Sequence, residues 1–169
     1  MASQVKTEAA EDAVKMLRVA WDGGIPVDPV AVARSAGLRV LEGELDEKTL
    51  GALIKQPEQD PTILLNEKDG QNRKRFTCAH ELGHYVRRSA EEDEYTTVDL
   101  RNSHSSAGLD SEEIYANEFA ASLLMPEDEV KSFVDAGMDE LEMAIRFKVS
   151  REAMQHRLDN LDLTPAKAS

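Results

Sequence analysis

Two histidines four residues apart, with a glutamate directly after the first, sit inside the stretch RFTCAHELGHYVRR as His80, Glu81 and His84. On an α-helix a separation of four is about 400°, so both rings leave one face roughly 6 Å apart along the axis. Such a pair constrains more than its own helix. If both imidazoles point at one position, a second element must close over that face and bring a further polar group to it. Glu81 lies about 100° round from His80 and about 60° from His84, beside that position rather than on it. Four histidines and nineteen glutamates in 169 residues give about 0.01 random matches to this pattern.

Two converging imidazoles with a carboxylate alongside suit a divalent metal and a water that the carboxylate can deprotonate, which makes Glu81 the candidate general base. A catalytic zinc site usually has three protein ligands and one open position. The pattern with a glycine three residues and a histidine six residues past the second histidine is excluded, because Arg87 and Ala90 stand there. His104, in a long connection, and His156, in the last helix, read more simply as solvated residues. The remaining candidates are carboxylates on DSEEIYANEFAASLLMP. Glu113 shares a helical stripe with Ala116, Asn117, Ala120 and Leu124, whereas Glu112 shares one with Tyr115, Phe119 and Leu123. Ala116, Ala120 and Ala121 are small enough to let this helix approach the first, and Asn117 is placed to hold the outer nitrogen of a ligand histidine. Glu113 is the favoured ligand, Glu112 its rival, and a capping box between Asp110 and Glu113 the competing structural explanation.

Apolar spacing from Glu8 to Trp21 predicts an amphipathic helix stopped by Gly23 and Gly24. Asp28, Pro29 and Gly37 bracket a short second helix. LRVLE at 38–42, LGALIKQ at 50–56 and TILLNE at 62–67 read as three strands. A helix over about 72–88 carries the histidines, and an acidic connection is expected over 89–110, long enough to suggest that it shapes a site. A helix from Asp110 or Ser111 to before Pro126 follows, and two or three short helices complete the chain, the last opened by Ser150. This order predicts an α+β fold, with a small antiparallel or mixed sheet packed against several helices in one domain over 1–169, and a disordered tail from about 163.

No apolar run is long enough to span a bilayer, and the first fifteen residues lack a secretory pattern, so a cytoplasmic protein is expected. Cys78, the single cysteine, excludes an internal disulfide and reads as a small buried residue. Of the net charge of −13, most comes from residues 89–130, where twelve acidic side chains face one basic residue, Arg101. That balance disfavours direct nucleic-acid binding and suits a basic polypeptide partner, or serves solubility alone. The segment FKVSREAMQHRLDNL has the outline of half a DNA-reading motif, but its few basic residues in an acidic chain favour a packing helix.

NRKRFTCAHELGHYV, RNSHSSAGLDSEEIYANEFAASLLMP and FKVSREAMQHRL together resemble the ImmA/IrrE family of metallopeptidases over nearly the whole chain. The resemblance implies a compact zincin-like fold with zinc held by His80, His84 and Glu113 and with Glu81 as catalytic base. It also implies a cytoplasmic bacterial protease that cleaves a helix-turn-helix repressor and so induces a mobile element, a prophage or a stress response. A site of two histidines and one carboxylate also accepts manganese. One metal per chain is expected. A donor for the tetrahedral intermediate is sought among Arg101, His104, Tyr95 and Tyr115, none of which spacing selects. The rival reading is a metal-containing toxin or antirepressor that binds its partner without cutting it. The pattern sets no oligomeric state.

Overall fold

The computed structural model describes residues 1–88, 93–101 and 110–168. Its elements in chain order are α1 (Ala2–Ala20), α2 (Pro29–Ser35), β1 (Arg39–Gly43), β2 (Thr49–Lys55), β3 (Thr62–Asn66), α3 (Gln71–Arg88), β4 (Tyr95–Leu100), α4 (Ser111–Leu124), α5 (Glu127–Asp135), α6 (Glu140–Phe147) and α7 (Arg151–Asn160). The fold is α+β, as the order of sequence signals predicts.

Local chemistry accounts for the helix starts. Asp28 accepts hydrogen bonds from the backbone N–H groups of Val30 and Ala31, and Pro29 stands where a missing N–H costs nothing. Asp139 and Glu142 form a reciprocal capping box at α6, and Ser150 caps α7 through the N–H of Ala153. Asp110 caps α4 through the N–H groups of Glu112 and Glu113. After α7 the backbone N–H of Ala166 donates to the carbonyl of Met138 beside α6.

The sheet is mixed, with spatial order β1-β3-β2-β4. β1 runs parallel to β3, while β2 is antiparallel to both β3 and β4. β4 corrects the expectation of an irregular connection over 89–110. YTTVDL carries three β-branched residues, and pairing with β2 in the register Leu53 opposite Thr97 and Ala52 opposite Val98 satisfies its backbone on one side. β4 was obscured in sequence by the acidic run before it and by the absence of a short hairpin turn joining it to β2.

α3 crosses the sheet face that carries Gly51 and Leu53. A β-carbon at Gly51 would come within 2.6 Å of Thr77 Cγ2 and 2.8 Å of the Leu64 carbonyl oxygen, so glycine there lets α3 seat directly on β2. Leu53, Ile63, Leu65, Cys78, Ala79 and Leu82 fill that layer. On the other side of α3 lies α4, backed by Ala9 and Ala13 of α1, with Phe119, Leu123, Met143, Phe147, Met154 and Leu158 extending the core towards α6 and α7. The segment with the outline of a DNA-reading motif thus packs inward through Met154, Arg157 and Leu158 of α7. Glu118 of α4 accepts from Arg157 Nη1 at 3.1 Å and from Ser122 Oγ at 3.1 Å, and Arg157 Nε donates to the Met125 carbonyl, tying α7 to α4. Among the described residues, no helix is long and apolar enough to cross a membrane.

Candidate metal centre

α3 is buried on most of its circumference from Thr77 to His84. Polar side chains there need partners, because burying an unpaired polar group costs about 1–3 kcal/mol. His80 and His84 meet edge to face, ring centroids 4.7 Å apart at 81°, with their Nε2 atoms 3.1 Å from one another. Glu113 reaches across from the first turn of α4, with Oε1 at 3.1 Å from His84 Nε2 and Oε2 at 3.5 Å from His80 Nε2. The three donors all lie within 4.8 Å of each other.

Close approach of the two helices makes this reach possible. A β-carbon at Gly83 would lie 3.1 Å from Cα of Ala116 and 3.2 Å from Cβ and Cδ1 of Phe119. Gly83 and Ala116 therefore bring the backbones together, and the first turn of α4 delivers Glu113 over the histidine face. Glu112 turns instead to Arg88, whose Nε donates to Oε2 at 3.0 Å. Asp110 caps α4, but the Glu113 side chain stands at the histidines and not back over the cap.

The chemistry of the donor set fits a cation. Asn117, one turn along α4 from Glu113, places Oδ1 3.0 Å from His80 Nδ1. An amide oxygen accepts, so Nδ1 carries the proton and Nε2 offers its lone pair inward. A lone pair from His80, a second imidazole nitrogen and a carboxylate oxygen thus converge on one small volume, an arrangement that a metal or a shared proton relieves. His84 is held above its ordinary range. Burial opposes that shift, but the Glu113 hydrogen bond and the charges of Glu81 and Glu113 outweigh it. His84 Nδ1 has no hydrogen-bond partner among the described residues.

Glu81 is fully buried. Burial pushes its carboxyl up to about 7, against the lowering influence of His84 and of a hydrogen bond from Thr97, and with the raising influence of Asp99 and Glu113. Thr97 Oγ1 donates to Glu81 Oε2 at 2.8 Å, while Oε1 has no partner among the described residues. Sequence reading misses Thr97 because the acidic surroundings hide β4; the run of β-branched residues Thr96, Thr97 and Val98 is the signal that could have found it. A cleft of about 790 Å³ opens beside Thr77, Asp99 and Asn117 and runs past Phe76 and Ile114 to Ala153 and His156 of α7.

Tyr115 donates its hydroxyl to Asp12 Oδ2 of α1 at 2.7 Å. Arg101 donates Nε to the Glu47 carbonyl at 2.6 Å and pairs with Asp69. Tyr95 is buried at the start of β4, its ring under Lys55 Nζ and the Arg88 guanidinium. His104 lies outside the described residues. His156 is exposed beside Glu152, 3.8 Å away. Cys78 is buried, and burial pushes its thiol up to about 12, as befits a packing residue.

A peptidase family model described as the IrrE N-terminal-like domain matches residues 33–159, from the last turn of α2 to the last turn of α7. The match supports a metallopeptidase type of activity and a protein substrate. A comparison with curated proteins finds no match.

Proposed function

The chain belongs to the IrrE N-terminal-like domain family of peptidases, and from that premise we propose that it is a zinc-dependent endopeptidase whose substrate is a helix-turn-helix repressor. The observation that carries the reading is the convergence of His80 Nε2, His84 Nε2 and a Glu113 carboxylate oxygen within 4.8 Å, with buried Glu81 alongside. His80, His84 and Glu113 are the ligands, and Asn117 holds the His80 ring through its outer nitrogen. Bound zinc supplies a Lewis acid for the scissile carbonyl and brings the pKa of a coordinated water to about 7.

The chain's own residues do the rest. Glu81 takes the proton of the attacking water and returns it to the leaving amine, a task for a carboxylate that burial has brought near neutrality. Ion-binding groups alone have no need of Glu81, so its burial next to the ligands favours turnover over a purely structural metal. The acidic stretch over 89–130 attracts a basic chain, and DNA-binding repressors are basic. A cytoplasmic location follows from such a substrate.

The test is incubation of the purified protein and zinc with a helix-turn-helix repressor encoded beside its gene, with products read by mass spectrometry. Cleavage at one bond, abolished by a chelator, is the expected result. A repressor bound by the protein but left intact, with or without zinc, would instead establish a binding antirepressor.

A further inference from the structure

We infer that Thr97 is a positioning residue for the reaction, holding the Glu81 carboxylate so that one oxygen is fixed and the other is left for the proton. The inference rests on the reading of Glu81 as general base, and it adds a residue from the sheet to a centre otherwise built from α3 and α4. Thr97 stands opposite Leu53 in the β2–β4 register, and Leu53 is completely buried under α3, so Thr97 points to the same side of the sheet as α3. Its hydroxyl lies 2.8 Å from Glu81 Oε2. That oxygen therefore accepts a hydrogen bond from a rigid strand, while Oε1 accepts none among the described residues.

A carboxylate has two oxygens, and a proton shuttle needs one of them aimed at the water on every turnover. With Oε2 tied to Thr97, rotation of the carboxylate about its terminal torsion is restrained, a torsion that is otherwise broad and soft. Oε1 is then presented in one orientation. Pairing of β4 with β2, Thr97 opposite Leu53, fixes the Thr97 backbone, and Thr is β-branched and stiff at χ1, so the donor is itself held in place. A loop residue would give no such support.

The experiment compares wild type, Thr97→Val, Thr97→Ser and Glu81→Gln, each loaded with zinc, on the neighbouring helix-turn-helix repressor and on fluorescently labelled casein. Zinc affinity is measured alongside by competition with a chromogenic chelator. Valine keeps the shape and removes the donor, whereas serine restores the donor. The inference expects Thr97→Val to lose about 10-fold in kcat, the lower end of the cost of removing a supporting hydrogen bond at such a centre. KM and zinc affinity should stay within about 2- to 3-fold, since the Thr97 hydroxyl bonds Glu81 and none of His80, His84 and Glu113, and Thr97→Ser should recover most of kcat. Thr97→Val with wild-type kcat, or Thr97→Ser as impaired as the valine variant, would overturn the positioning role while leaving the peptidase intact. Loss of zinc affinity in Thr97→Val would also overturn it, making the residue a support for the metal. Wild type that cuts neither substrate, or Glu81→Gln that cuts as well as wild type, removes the peptidase reading and this inference with it.

Discussion

Gly83 is where fold and function meet most tightly, and Gly83→Ala separates two opposing effects. In a helix interior alanine is favoured over glycine by about 1 kcal/mol, so propensity alone predicts a more stable protein. Against this, the new methyl would sit 3.1 Å from Ala116 Cα and 3.2 Å from Cβ and Cδ1 of Phe119. Ala116 Cα is backbone of a buried helix. Phe119 has no exposed surface and stacks on Tyr115 with ring centroids 6.2 Å apart. Neither neighbour can give way alone, so α4 must shift as a body. Overpacking of this kind costs about 1–3 kcal/mol, which outweighs the propensity gain and leaves a net loss of about 1 kcal/mol. For a chain of this size that lowers Tm by about 2–4 °C. The functional cost is larger than the thermal one, because a shift of α4 carries Glu113 away from His80 and His84. Zinc affinity should fall by about 10-fold or more, the cost expected when a ligand is displaced from its set geometry. Differential scanning calorimetry of the chelated protein and a competitive zinc titration make the two measurements. A variant that is more stable than wild type and binds zinc equally well would refute the claim that helix approach at Gly83 sets the ligand geometry.

Removing the two adjacent carboxylates of α4 separates ligand from rival. Glu113→Ala should weaken zinc binding by about 100-fold or more, as loss of one of the three proposed ligands implies, whereas Glu112→Ala, which removes the ion pair between Glu112 and Arg88, should leave it within about 3-fold; titration of each with a chromogenic chelator checks both. The metal-free protein should also carry a pH signature of Glu81. Its folded-state pKa is raised from 4.5 to about 7, so the contribution is fully present below about 4.5, is lost as pH rises and is gone above about 7. The shift is worth about 3 kcal/mol. Denaturant unfolding of chelated wild type and Glu81→Gln should therefore show the glutamine variant gaining on wild type by about that amount between pH 4 and pH 8; a constant difference across that range would refute the shift.

Most of the centre was legible because its geometry is local. The spacing of His80, Glu81 and His84 fixes their directions on a helix whatever the rest of the chain does. Glu113 and Asn117 were legible at one remove, through a stripe they share on a second helix whose small residues permit close approach. Asp28, Pro29 and Ser150 announced helix starts through groups that satisfy backbone N–H close by in sequence. What was missed depends on distant partners. β4 gains its backbone hydrogen bonds from β2, forty or more residues earlier, and neither strand carries a sign of the other. Thr97 was lost with it. The engagement of Tyr115 by Asp12 was equally illegible, since a tyrosine on a helix gives no sign of which helix will meet its hydroxyl.

The most direct test of the account is zinc reconstitution of the chelated protein, following repressor cleavage as zinc is added in fractions of an equivalent. The account predicts that cleavage rises linearly to about one equivalent and then stops rising, and that Glu81→Gln takes up the same zinc without cutting. Cleavage independent of zinc, or a Glu81→Gln variant as active as wild type, would contradict it.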